Sequence, residues 1–153
     1  MTIDLPDTEA QLNFGARLAT LLPPMCVLYL EGDLGTGKTT LTRGILRQLG
    51  HAGAVRSPTY TLLESYQFAD RAVYHLDLYR LTDPEELEYL GLRDLLGETA
   101  LWVIEWPERG VAHLPAADLT IHINHLSSGR RLQLCGLTPA GNALVAALRT
   151  AGN

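Results

Sequence analysis

The stretch Gly32-Asp33-Leu34-Gly35-Thr36-Gly37-Lys38-Thr39 satisfies the pattern Gly-x-x-x-x-Gly-Lys-[Ser/Thr] at every fixed position. Its flanks agree with it: Val27-Leu28-Tyr29-Leu30 reads as a buried strand running in, and Thr40 to Leu49 as a helix running out. Glycines let backbone N–H groups curl around phosphate oxygens, and the emerging helix turns its unsatisfied amides and positive dipole end toward the same anion. The expected phosphate-binding set is Gly32, Leu34, Gly35, Thr36, Gly37, Lys38, Thr39 and Thr40. Lys38 is expected to reach the β- and γ-phosphates and Thr39 to place its hydroxyl on Mg²⁺. Lys38 is also the only lysine among the 12 basic residues, the rest being arginine. The alternative, a glycine-rich turn that binds nothing, requires motif, strand and helix to coincide by chance.

Around this loop, 153 residues with 46% hydrophobic content suit a single compact domain spanning 1–153, with no low-complexity linker to divide it. No apolar run approaches the ~20 residues of a membrane span, and the N-terminus carries acids in place of a basic, apolar export signal; the expectation is a cytoplasmic protein. A net charge of −5 argues against strong unaided nucleic-acid binding, so any RNA contact is expected to go through a partner. Cys26 and Cys135 lack metal spacing and are read as buried thiols.

Working outward, Met1 to Leu5 reads as a short strand. A helix opens after Pro6, with Thr8 and Gln11 in capping-box spacing and Leu12, Gly15, Ala16, Ala19 and Leu22 on one face. Thr8 is either scaffold or part of a cover over a nucleotide base. Gly44 lies inside the helix leaving the loop, where it costs about 1 kcal/mol relative to alanine, so a close packing contact is expected there. Ser57-Pro58-Thr59 is open to two readings: a proline turn before the strand Leu62 to Gln67, or a switch-like loop whose Thr59 hydroxyl senses the γ-phosphate and Mg²⁺. A hairpin around Asp70 returns into Ala72 to Leu78, and a helix capped by Asp83 runs on to Gly97. Near the C-terminus the spacing predicts a strand over Leu119 to Asn124, a turn at Ser127-Ser128-Gly129, a returning strand and a helix over 140–150. Arg130 and Arg131 at that turn are either solvated charge or a reach toward phosphate. His122 and His125, three apart in a strand, point to opposite faces and make poor joint ligands.

Two strands end in acids. Asp77 closes Ala72 to Leu76, and Glu105 closes the continuously apolar Ala100 to Ile104. Ligands of parallel α/β sheets bind outside the carboxyl ends of strands, so an acid there faces the phosphate loop and can help hold Mg²⁺ or orient water. Glu105 suits a central parallel strand better. Asp77 sits in an alternating stretch that would also fit an ordinary edge-strand carboxylate.

Four stretches together, Leu30 to Thr40, Ser57-Pro58-Thr59-Tyr60-Thr61, His75-Leu76-Asp77-Leu78-Tyr79-Arg80-Leu81 and Val103-Ile104-Glu105-Trp106-Pro107, resemble the bacterial TsaE (YjeE) family. Asp83-Pro84-Glu85-Glu86-Leu87 and Gly91-Leu92-Arg93-Asp94 extend the likeness, which runs from near Pro6 to about Arg130. The resemblance implies a P-loop NTPase-like α/β sheet, mainly parallel in its core with antiparallel strands and helices on both faces. It also implies ATP with Mg²⁺, and work with the partners TsaB and TsaD in making threonylcarbamoyladenosine beside the anticodon of ANN-decoding tRNAs. By position it implies Thr39 and Glu105 on Mg²⁺, Asp77 as a further acid for hydrolysis beside Lys38, Thr59 in the switch-like loop, and nucleotide contacts from the Thr8 region and Arg130. Hydrolysis by the isolated chain is expected to be weak.

The same loop is shared by three other kinds of protein. A small-molecule kinase needs a lid over an acceptor, and no arginine-bearing lid insertion separates the motifs. A GTP switch needs a second lysine in its guanine-reading motif, which this chain lacks. A non-hydrolysing nucleotide-binding scaffold remains open, with the acids only holding Mg²⁺.

Overall fold

The computed structural model describes residues 1–152; Asn153, the last position of the expected domain, lies outside the described residues. The chain runs β1 (Thr2–Leu5), α1 (Thr8–Leu21), β2 (Cys26–Glu31), α2 (Lys38–Leu49), β3 (Leu63–Gln67), β4 (Ala72–Asp77) and α3 (Glu86–Tyr89). It continues through α4 (Leu92–Leu95), β5 (Ala100–Glu105), two 3₁₀ turns, β6 (Leu119–His125), β7 (Arg130–Gly136) and α5 (Pro139–Thr150). The strands form a 7-stranded sheet in the order β1-β7-β6-β2-β5-β4-β3. The four central strands β6, β2, β5 and β4 are parallel, while β1, β7 and β3 join antiparallel at the flanks.

Alternation along the strands splits the apolar residues into two layers, as a sheet covered on both faces requires. Leu28, Leu30, Val73, Leu101 and Val103 pack beneath α1, α2 and α5, where Leu18, Leu41, Ile45, Leu46 and Leu148 complete the larger core. Tyr74, Leu76, Trp102 and Ile104 face the other way, against Leu87 and Leu92 of α3 and α4. The result is the expected P-loop-type α/β fold, with a mainly parallel core, antiparallel flanking strands and helices on both faces.

The helices α1 and α2 meet at two glycines. A Cβ on Gly44 would stand 2.3 Å from the Leu12 carbonyl oxygen, and one on Gly15 would stand 2.5 Å from that of Leu41. This is the close contact expected at Gly44, with backbone packed on backbone.

Several local expectations are corrected. The cap of α1 is Asp7, whose carboxylate accepts the Ala10 N–H at 2.8 Å; Thr8 is the first helical residue, and Gln11 points into the molecule instead of back at a capping threonine. The buried stripe of α1 is Gln11, Phe14, Gly15, Leu18 and Ala19, rotated from the predicted Leu12 and Ala16 because the helix lies on α2 as well as on the sheet. The helix expected from Asp83 to Gly97 is two short ones, divided where Gly91 turns left-handed at φ 73. Asp77 lies in an interior strand whose residues are all buried, so it is no edge carboxylate. Cys135 is exposed on β7, unlike buried Cys26.

Candidate functional site

The parallel register aligns three strand ends. Leu30 pairs with Glu105 and Glu105 with Asp77, so the loop after β2 and the two acids emerge side by side at the carboxyl edge of the sheet. The loop closes with the Thr36 N–H on the Asp33 carbonyl at 3.3 Å, and α2 then starts at Lys38. Two glycines are required by geometry. Gly32 (φ 141) would drive a Cβ to 2.4 Å from the Ile123 carbonyl oxygen, and Gly37 (φ 96) would drive one into the Gln11 amide. Gly37 gives α2 no side-chain cap, which leaves the first-turn amides of that helix for an anion.

These elements line a cleft of about 470 Å³. Among the residues expected from the sequence, Leu34, Gly35, Gly37, Lys38, Thr39, Thr40, Thr59, Asp77 and Glu105 lie on its wall. Gly32, Thr36, Thr8 and Arg130 do not. Thr8 is exposed at the start of α1. Arg130 grips the loop from behind, its guanidinium donating to the carbonyls of Thr36 and Gly35 at 3.2 Å each. Gln11, buried on α1, donates to the Thr36 and Gly37 carbonyls at 3.0 and 3.1 Å. With its carbonyls held from outside, the loop is free to aim N–H groups inward.

Lys38 is buried, and its ammonium donates to the Gly32 and Asp33 carbonyls at 2.6 and 2.9 Å while lying 4.4 Å from the centre of the Trp106 ring. Burial holds the amine below the ordinary lysine value, and the Glu105 and Asp77 carboxylates pull it partly back. The Thr39 hydroxyl donates to Glu105, at 3.1 Å from Oε1 and 3.2 Å from Oε2. A hydroxyl and a buried carboxylate are the hard oxygen donors that Mg²⁺ takes, and such sites draw their remaining ligands from phosphate and water; the residues present fit that ion.

Asp77 ties down the loop before β3. Its Oδ2 accepts from the Ser57 hydroxyl and, at 3.2 Å, from Thr59, while Oδ1 accepts the Tyr79 N–H at 3.0 Å. Among the described residues, the two non-glycine positions with positive φ, Leu62 (65) and Trp106 (57), both border this region. Leu62 ends the loop that carries Ser57 and Thr59, and Trp106 follows Glu105 directly. Such left-handed residues cost on the order of 1–3 kcal/mol and concentrate at functional sites.

The sequence reading missed Tyr79, Arg80 and Trp106 on the cleft wall, and it placed Ser57 in the turn or switch-like loop 57–59 without giving its side chain a role of its own. The signal for Tyr79, Arg80 and Trp106 was position: each follows within three residues of a strand-end acid, where the chain must cross the cleft mouth. Gln11 carried no such signal, because its role depends on how α1 lies against α2.

A glycine-rich loop after a central parallel strand, flanked by strand-end acids, defines a P-loop-type α/β protein. Residues 5–132 match the family described as Threonylcarbamoyl adenosine biosynthesis protein TsaE. The chain is 44% identical over 152 residues to the tRNA threonylcarbamoyladenosine biosynthesis protein TsaE of Haemophilus influenzae, covering 96% of each. It is 36% identical over 130 residues to the protein of the same name from Bacillus subtilis, covering 85% of this chain and 79% of that one. The crystal structure of Bacillus subtilis YdiB superposes with a TM-score of 0.84 at 27% identity, over 100% of this chain and 96% of that one. The chain belongs to the TsaE family.

Proposed function

We propose that this chain is the ATP-binding and ATP-hydrolysing component of the apparatus that forms threonylcarbamoyladenosine in ANN-decoding tRNAs, acting with TsaB and TsaD, which carry out the carbamoyl transfer. The observation that carries this reading is the placement of Thr39 and Glu105, in mutual hydrogen bonding, beside the phosphate loop. The role named for the TsaE relatives of Haemophilus influenzae and Bacillus subtilis supplies the pathway.

In this reading the loop amides and the first turn of α2 bind the phosphates, and Lys38 exchanges its two loop carbonyls for β- and γ-phosphate oxygens. Thr39 and Glu105 hold Mg²⁺, which when bound neutralises charge on the phosphates. Asp77 orients water and keeps Ser57 and Thr59 against the cleft, so the 57–59 loop can respond to the γ-phosphate. Arg130 and Gln11 support the loop from outside. The Thr8 region, exposed and off the cleft wall, reaches a nucleotide only through a base that projects beyond that wall. Among the described residues no helix is long and apolar enough to cross a membrane; the tRNA role named for the relatives is what puts the proposed work in the cytoplasm. With a net charge of −5, tRNA is met through the complex.

Reconstitution with TsaB, TsaD and tRNA, measuring ATP hydrolysis and repeated modification turnover together, tests the proposal. Hydrolysis by the chain alone should be slow and should rise with the partners. Equal modification turnover without this chain, or hydrolysis indifferent to TsaB and TsaD, would overturn it.

A further inference from the structure

His75 is fully buried on β4, two residues before Asp77, and lines none of the cleft wall. The β4–β5 register pairs His75 with Val103 and Asp77 with Glu105, so His75 lies diagonally behind Glu105 on the sheet face beneath α1 and α2. Its Nε2 is 2.5 Å from Glu105 Oε2, and its Nδ1, also buried, has no hydrogen-bond partner. The Nε2–H tautomer accounts for both facts: it donates to the carboxylate and leaves at Nδ1 a lone pair, not an N–H, without a partner.

For stability alone this is a poor choice of residue. A buried polar atom without a partner costs roughly 1–3 kcal/mol, and the neighbours Val73, Leu101 and Val103 are apolar. What the imidazole supplies is a fixed donor to an acid that is 2% exposed and whose other partner is the rotatable Thr39 hydroxyl.

We propose that His75 is the positioning residue for Glu105: it commits Oε2 to the imidazole and so leaves Oε1 as the oxygen available to the cation. This rests on the ATP–Mg²⁺ reading of the cleft. Partners of this kind, one shell out from a metal, set ligand orientation, and their loss typically costs about 10–100-fold in metal affinity or activity.

The test compares wild-type protein with His75→Leu, which removes the donor at similar volume, and His75→Gln, whose amide nitrogen can reach the place of Nε2. Binding of a fluorescent ATP analogue is followed as Mg²⁺ is titrated and, separately, in EDTA, with thermal melts of each protein. His75→Leu should raise the Mg²⁺ needed for half-maximal binding by about 10–100-fold, leave metal-free affinity unchanged, and be largely rescued by His75→Gln. Unchanged Mg²⁺ demand in a folded His75→Leu, or equal impairment in a folded His75→Gln, overturns the proposal. Should the variants not fold, ¹⁵N-histidine NMR of the wild-type chain decides: an Nε2–H signal that shifts on adding Mg²⁺ and ATP supports it, and a proton on Nδ1 alone refutes it. A wild-type chain whose nucleotide binding ignores Mg²⁺ defeats the ATP–Mg²⁺ reading itself, an outcome separate from either variant result.

Discussion

Lys38 begins with its charge spent on two carbonyls and an aromatic face, in surroundings that disfavour it. Its folded value is lowered from 10.5, chiefly by burial, so the unfolded chain binds more protons in the window just below 10.5 and stability rises with pH there. Phosphate reverses the local preference by favouring the charged amine. Nucleotide affinity should therefore fall as pH climbs from neutrality toward 10, ahead of the pH at which an ordinary lysine discharges; fluorescence titration with an ATP analogue across that range measures it, and a flat profile would contradict it. Asp77 gives a different expectation. An amide at this position cannot match a carboxylate as acceptor for both Ser57 and Thr59, so Asp77→Asn should release the 57–59 loop. Nucleotide binding should survive, while single-turnover hydrolysis with the partners present falls about a hundredfold, the scale of a small misplacement of reacting groups. Unaltered hydrolysis would remove Asp77 from the mechanism.

At the scale of elements, the decisive contact is between α1 and α2. Gly44→Ala gains about 1 kcal/mol of helix propensity. The new Cβ, however, meets a backbone carbonyl at 2.3 Å, which no side-chain rotation relieves. Overpacking of this kind costs about 1–3 kcal/mol and wins. Each net kcal/mol lowers Tm by about 2–4 °C in a chain of this size, and a melt with Tm equal to or above wild type would show that the helices separate cheaply. Because α1 also carries Gln11 to the phosphate loop, the same variant should weaken nucleotide binding. The sequence made this packing legible through the misfit of a glycine inside an amphipathic helix. The phosphate loop, the strand that feeds it and the acids that end β4 and β5 were equally legible, since each is encoded within a few neighbouring residues. What was not legible depends on elements distant in sequence. Gln11 looked like a cap because its loop partners lie 25 and 26 residues away. His75 stands two residues before Asp77, a spacing that puts both on one face of a strand, but its partner Glu105 is on another strand, 30 residues on. For Asp77 the alternating pattern left an edge-strand carboxylate open beside the role of strand-end acid, and only the pairing of β4 with both β5 and β3 removes that alternative.

Across the whole molecule, the sheet sorts chemistry by edge. The carboxyl ends of β2, β4 and β5 gather the loop, Asp77 and Glu105, while the flanking strand β7 carries a different kind of reactivity outward. Cys135 is exposed on that strand. Cys26 is buried beneath α1, and its thiol is pushed up to about 12, first by burial and then by the Asp118 carboxylate. In native protein at neutral pH a thiol reagent should modify Cys135 promptly and Cys26 only after denaturation, as mass mapping of labelled peptides would show; prompt labelling of Cys26 would mean that β2 opens to solvent. Since β2 feeds the phosphate loop, that would also undermine a preformed cleft. The central claim is that this cleft is an ATP–Mg²⁺ site, and titration calorimetry of the full chain tests it most directly. The account predicts saturable binding of ATP with Mg²⁺, at least about tenfold weaker in EDTA, preference for ATP over GTP, and no binding by Lys38→Ala that still melts cooperatively. No binding of ATP with Mg²⁺ by the wild-type chain, or a preference for GTP, would contradict it.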